Sequence, residues 1–573
     1  MGGTQSPPPP ELSFNLDSER LGPLPLINAF VDRMGLDSLL NAHVPTTDRR
    51  CTITHAQALG VVLRSIIVER EPIYRQHETV HDFAPGMFGI DTQCMHHLTD
   101  DRIGRALDRL FDADRAALLT EVVVAVGQRF GVKFDQLHND STSISFCGQY
   151  RSASGRRMRD KVAPSIVYGF SKDHRPDLKQ LLFILSITAE GIPASFRCAS
   201  GNTNDSVTHI HTWNTLRDVA GRADFLYVAD SKLCSHDNMQ HIHAAGGRFV
   251  TVMPRNRQED AQFRRWIQTH TPDWQLVWDR PNPRYADGPR DRWWVFQPEL
   301  VSLETWPITW VWSNLLTLRQ RSRRQRNLSA ATEELQALHE RLTKARARLR
   351  GAKEIDASVQ DILERCRVAR YLKVSRVLRE QCTFKQKTRG RPGPHTEYRK
   401  VLRQRFDIEW SIDKQSLAFD EKSDGMYPLL SNDRSLTAIQ ILQAHKGQPT
   451  IEKRFEQVKT VHEIAPVFLK NEARIEALFT LYFLALLTQA LIERELRLAM
   501  AQQKIEQLPL YPEQRLCRRP TTEQILRLFS LAQRHWLVHK GQRVQVFDTN
   551  LTELQLKVLS LLAVPKSAYL TRS

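Results

Sequence analysis

Val132–Phe146, VKFDQLHNDSTSISF, is the stretch on which the fold turns. It reads as a strand that runs into a sharp polar stop, where Asp140 is followed by Ser141, Thr142 and Ser143. A carboxylate at the end of a buried strand is costly unless a metal ion or a hydrogen-bond donor uses it. Alone, such an acid is equally an ordinary turn or helix cap. The flanking sequence decides between the two. Leu178–Thr188 is a long β-rich run, and Glu190-Gly191 turns it into Ile192–Cys198. The loop 200–205, SGNTND, then caps a helix reaching about Val219, and DFLYVAD at 224–230 is a short apolar strand that again ends on an acid. Hairpin strands followed by a crossover helix place the first and fourth strands side by side. Asp140 and Asp230 would then be neighbours, which is how hard oxygen ligands build a Mg²⁺ or Mn²⁺ site.

At 573 residues the chain is too long for one core. Its formal charge of +17 points to a polyanionic partner, nucleic acid first. The eight cysteines form no Cys-x-x-Cys pair, which argues against structural zinc and a disulfide framework and fits a reducing cytosol. Paired histidines (His96/His97, His209/His211, His241/His243) lack partners at zinc spacing. The start, MGGTQSPPPPEL, has no apolar core of a signal peptide. Leu478–Ile492 is apolar almost all round but shorter than the roughly 20 residues of a bilayer span, so it reads as a buried core helix and no membrane is expected.

In chain order, residues 1–22 read as a disordered tail. Residues 23–130 read as a helical domain suited to DNA-end binding or dimerisation, with Thr54 capping a helix striped by Leu59, Val62, Leu63 and Ile66. The first part of the core spans 131–259 and includes a basic loop at Arg151, Arg156, Arg157 and Arg159. An insertion at 260–405 carries tryptophan-rich strands (WQLVW at 274–278, RWWVFQ at 292–297, ITWVW at 308–312) and two basic runs, RQRSRRQR at 319–326 and KQKTRGR at 385–391. Between those runs Leu335, Leu338, Leu342 and Leu349, then Ile355, Val359 and Ile362, predict a long helical hairpin. Strand patterns resume near Phe406 (DIEWSI, MYPLLSN), and the core is expected to continue over 406–499 with a helix TIEKRFEQVKT at 450–460. Residues 500–573 read as a helical tail.

With Asp140, Asp230 and a helical Glu452 in order, the chain resembles the DDE transposases of bacterial insertion sequences. It is most similar to the cut-and-paste group with a large insertion before the glutamate. The resemblance rests on NDSTSIS at 139–145, GFSKDHRPDLKQ at 169–180, GIPASFRCASGNTND at 191–205, VADSKL at 228–233 and IEKRFEQVK at 451–459, and covers about residues 20–500. It implies an α/β fold with an RNase H-like catalytic core, interrupted by the mixed β and helical-hairpin insertion. It also implies Asp140, Asp230 and Glu452 as ligands of two Mg²⁺ or Mn²⁺ ions. The implied activity is metal-dependent DNA cleavage and strand transfer at terminal inverted repeats. The implied partners are repeat and target duplexes and a second protomer in a synaptic complex, in a bacterial, nucleoid-associated cytoplasmic setting.

Candidate DNA contacts are Lys459, Lys172, Arg175, Arg323, Arg324, His445 and Gln448. Glu452 and Lys459 keep the family's glutamate-to-lysine spacing, whereas His445 and Gln448 stand where the family has Tyr and Arg to steady a phosphate. Glu456, one turn on from Glu452, competes for the third carboxylate position, and the Lys459 spacing favours Glu452. The alternative reading is a catalytically impaired relic that acts as a DNA-binding protein.

Overall fold

The computed structural model describes residues 14–150, 157–158, 160–282, 287–344, 351–465, 467 and 469–571. Of the sequence expectations, residues 1–13, Leu349 and the loop arginines 151, 156 and 159 lie outside these. The fold is mixed α/β. It divides into two units, one formed by Met1–Thr251 with Gln443–Ser573 and the other by Val252–Leu442.

The first unit is built on β1 (Gln136–Phe146), β2 (Lys179–Thr188), β3 (Pro193–Ser200), β4 (Leu226–Ala229) and β5 (Arg248–Val252). Side by side they run β3-β2-β1-β4-β5. β1, β2 and β3 form an antiparallel meander, whereas β4 pairs parallel to β1 and β5 parallel to β4. The parallel pairs need crossovers, and the helices His209–Ala220 and His236–Ala244 supply them. Ten residues of β1 pair with β2, from Leu137 opposite Thr188 to Phe146 opposite Lys179.

The apolar run at 478–492 lies within one helix, Glu472–Gln502. That helix is long and apolar enough to cross a membrane, yet 94% of its apolar window is buried inside the fold. One side meets the sheet, with Phe479 near Phe146 and Phe183 and Phe483 near Phe196. Other sides meet the helices His55–Val68 and Asp100–Asp112. Being enclosed on several sides is why its apolar residues show no stripe. The N-terminal helices form as their sequence dictates. Thr54 accepts from the Gln57 amide at 3.1 Å while Gln57 accepts from the Thr54 amide at 2.9 Å, and Leu59, Val62, Leu63 and Ile66 are buried.

Both ends of the chain depart from expectation. Phe14–Arg20 is a strand, paired antiparallel with Gln533–His539, which pairs in turn with Gln542–Phe547. The tail from 500 is therefore not purely helical. Lys540 and Gly541 join the last two strands with positive φ at both residues (52° and 77°), the conformation of a two-residue type I′ hairpin turn. The alternation in QRHWLVH and QRVQVF about that Lys-Gly pair is the local signal for it.

The second unit has its own antiparallel strands: β6 (Gln275–Arg280), β7 (Asp291–Phe296), β8 (Ile308–Ser313) and β9 (Met426–Ser431), in the order β9-β8-β7-β6. The tryptophans pack among themselves and with phenylalanines. Trp294 stacks on Trp312 at 4.3 Å and Trp310 on Phe263 at 3.6 Å. The helices Asn314–Thr343 and Ala352–Arg365 bury Leu335, Leu338, Leu342, Ile355 and Ile362 in a shared core. Leu372 and Ile408 join that core from a long antiparallel ribbon, Leu372–Gln386 with Tyr398–Ile412. The second unit thus extends to Leu442, beyond the boundary expected at 405, because Ile408 and Trp410 pack here and Met426–Ser431 pairs with Ile308–Ser313.

Candidate functional site

The parallel pairing of β1 with β4 fixes the site. Asn139 lies opposite Ala229, the last pair of that ladder, and the next residue on each strand is Asp140 and Asp230. Asp140 is half-buried and its Oδ1 accepts from the Ser141 amide at 2.7 Å. Burial pushes its carboxyl up to about 6, and the nearby Asp230 adds to that rise, while Lys172 and the Ser141 amide oppose it. Burial raises Asp230 too, despite the Lys232 amide that donates to its Oδ1 at 2.9 Å. The Asp230 carbonyl accepts from Thr251 Oγ1 at 2.7 Å, tying the end of β4 to β5.

Lys172 enters this corner from the loop before β2. Its Nζ lies 3.4 Å from Asp140 Oδ1 and 3.2 Å from Asp205 Oδ2, and donates to the Ser141 carbonyl at 2.6 Å. Burial works against its charge, but Asp140 and Asp205 outweigh it and hold the ammonium above its usual range. Lys172, a candidate DNA contact, thus has its ammonium engaged by two carboxylates.

Asp205 was not among the sequence candidates. It opens the short 3-10 turn Asp205–Thr208, capped by Asn204, and its Oδ1 accepts from Ser141 Oγ at 2.8 Å. Gly201 brings this loop across β2 so closely that a Cβ there would lie 2.1 Å from the Gln180 carbonyl oxygen. The third acid of the corner was hidden in a segment whose local pattern is that of a helix cap.

Glu452 lies on the helix Pro449–Glu456, which continues into one wide π-turn over Gln457–Val461. Both Glu452 and Glu456 are exposed. The helix is anchored beside Asp140. Gln448 donates to the Asn139 carbonyl at 3.0 Å, and its Oε1 lies 3.1 Å from His138 Nδ1. About three turns later Lys459 Nζ bonds Asp173 at 2.6 Å, the residue next to Lys172. At about 100° per residue, Gln448, Glu452 and Glu456 share the helix side that runs between these anchors. Arg454 fastens the opposite side, donating to the Gly191 carbonyl at 2.8 Å and pairing with Glu493 at 2.8 Å.

The Gln448 amide is engaged at both ends within the fold, and burial brings His445 down to about 4, so neither offers a charge to a phosphate at neutral pH. Arg175 forms a two-pronged pair with Asp177 at 2.8 and 2.7 Å on the exposed loop. Arg323 and Arg324 belong to the second unit, where Arg324 grips Asp424 at 2.5 and 3.0 Å and Arg323 lines a cavity with other arginines. Among the described residues, no three His, Cys, Asp or Glu side chains are gathered closely enough to hold a metal ion. The chemistry of the donor set nevertheless suits a hard divalent cation, because Asp140, Asp230 and Asp205 offer only carboxylate oxygens in a partly desolvated corner.

Residues 16–124 match a family model described as a domain of unknown function, DUF4277. No curated protein matches the chain.

Proposed function

We propose that the chain is a DDE transposase of a bacterial insertion sequence, that its first unit contains an RNase H-like catalytic core, and that Asp140, Asp230 and Glu452 are its acidic triad. The observation that carries this reading is the parallel β1–β4 register, which sets two partly desolvated aspartates side by side, each one residue beyond the last pair of that ladder. Such a pair is expensive without a cation to share.

Asp140 and Asp230 would hold two Mg²⁺ or Mn²⁺ ions, joined by Glu452 from the helix anchored at Asn139. When bound, the ions supply activation of a water and stabilisation of the leaving 3′ oxygen. The chain's own part is placement. Lys172 and Ser141 hold Asp140 in position through Asp205, and Lys459 with Asp173 fixes the far end of the glutamate helix. No protein nucleophile is required. The reaction frees a 3′ hydroxyl at a terminal inverted repeat, and that hydroxyl attacks target DNA, with two protomers pairing two ends. The setting is the bacterial nucleoid.

A second reading has two observations in its favour. Glu452 is exposed, and no three acids are gathered into a metal cluster among the described residues, as in a relic that binds repeat ends without cutting. A supercoiled plasmid with and without the element ends separates the readings. End-dependent linearisation with strand-transfer products supports the transposase. Cutting of both plasmids alike marks a nuclease, and binding to the ends without cutting under any metal marks the relic.

A further inference from the structure

Among the described residues, the ribbon Leu372–Gln386 with Tyr398–Ile412 is anchored at its base. Leu372, Val374, Phe406, Ile408 and Trp410 pack into the helical core, whereas from Leu378 outward most side chains are exposed. Fifteen residues per strand give an arm of roughly 50 Å at about 3.3 Å per residue. Residues 385–405 carry eight Lys and Arg against one acid, Glu397.

The pairing register sorts these charges. Side chains alternate between faces, so Arg379, Lys385, Arg399, Arg403 and Arg405 share one face, while Leu378, Phe384, Tyr398 and Leu402 share the other. Lys385 sits directly opposite Arg399, and Arg379 directly opposite Arg405. Like charges across a strand pair destabilise it. Near the base Asp407 and Glu409 relieve the repulsion by pairing with Arg379. Further out on this face, Lys385, Arg399 and Arg403 form no ion pair among the described residues. An arm that keeps uncompensated cations opposite each other is built to receive an anion along its length.

We infer that this ribbon is a duplex-DNA-binding arm, which lays its cationic face along a groove and contacts phosphates without reading sequence. A two-stranded ribbon fits the major groove, about 12 Å wide. Contacts of this kind position a protein on DNA rather than specify a site. The inference shares its partner with the transposase reading, but its test does not depend on that reading.

The test measures binding of the full-length chain to a random-sequence duplex in EDTA, as a function of salt. It compares the wild type with a variant combining Lys385→Gln, Arg399→Gln and Arg403→Gln. Each phosphate contact contributes about 0.9 to the slope of log K against log salt, so the variant slope should be shallower by roughly 3. Random and repeat-bearing duplexes should lose affinity alike. An unchanged slope overturns the inference. If the threefold variant fails to fold, Arg403→Gln alone should lower the slope by about 1, and no change there overturns it equally.

A Leu378→Ser/Leu402→Ser variant tests the apolar face by sedimentation. Loss of a dimer in that variant, with the salt slope of the cationic variant unchanged, would make the arm a contact between copies of the chain instead. A protein that never cuts DNA but shows the shallower slope keeps the arm and loses only the transposase.

Discussion

Asp140, Lys172 and Asp205 form a small electrostatic device whose parts oppose one another. Burial raises the Asp140 carboxyl from its ordinary range to about 6, so the folded protein binds a proton there that the unfolded chain has already released. That contribution to stability is complete below about pH 4 and is lost as pH rises through about 6. A shift of about two pKa units corresponds to roughly 3 kcal/mol. Asp140→Asn should therefore raise the thermal midpoint at pH 8, leave it nearly unchanged at pH 4, and abolish DNA cleavage. Thermal unfolding at the two pH values checks this, and an equal shift at both would break the link to Asp140 ionisation.

Mg²⁺ or Mn²⁺ should likewise raise the midpoint of the wild type at pH 8, with the gain much smaller in Asp140→Asn. Calorimetry with and without the ion reads the difference. Asp140 and Asp230 were legible in the sequence because in each case an acid follows an extended run, yet the polar stop expected at Asp140 is not a strand end: β1 runs on to Phe146, paired with β2 throughout. Asp205 was not, because its partners Ser141 and Lys172 come from distant segments and its own loop carries the pattern of a cap.

At the scale of elements, the glutamate helix depends on Arg454, which is buried and ties the helix to the Gly191 turn and to Glu493. Removing one partner of a buried pair typically costs about 3–5 kcal/mol, because the other charge is stranded. Glu493 keeps Arg497 as a second partner, so the lower end of that range is expected for Arg454→Ala. Chemical denaturation measures the loss, and a change below about 0.5 kcal/mol would show that the helix is held otherwise.

Between the two glutamates, Glu452→Gln should stop cleavage while Glu456→Gln slows it by less than about tenfold, a factor worth about 1.4 kcal/mol. Cleavage rates of the two variants decide the assignment, and the reverse order would move the third carboxylate one turn along. The helical hairpin with its leucines at helical spacing was legible. Of the ribbon that follows, only DIEWSI at the end of its second strand was legible, since charged residues on one face and exposed apolar ones on the other blur the usual inside-outside alternation further out. The terminal three-stranded sheet was missed for another reason: its first strand, Phe14–Arg20, finds its partner more than five hundred residues away, at Gln533–His539.

At the scale of the whole molecule, a chain of charge +17 divides its chemistry between two units. The first carries the aspartates, the lysine that holds them and the glutamate helix around a largely enclosed apolar helix. The second carries the tryptophan-packed strands, the helical hairpin and the basic ribbon. The break between them was legible as a change of composition near residue 260. Its end at Leu442 was not, because the strands after 405 look like those of the first unit and only their packing assigns them to the second.

The most direct measurement is cleavage of an end-labelled duplex carrying the flanking terminal repeat, with Mg²⁺, Mn²⁺ or EDTA, for the wild type and Asp230→Ala. The account predicts nicking at the repeat boundary with either metal, none in EDTA, and none in the variant, which should still bind the duplex. Cleavage that survives in Asp230→Ala at the wild-type rate, or tight binding by the wild type without cutting under either metal, would contradict it.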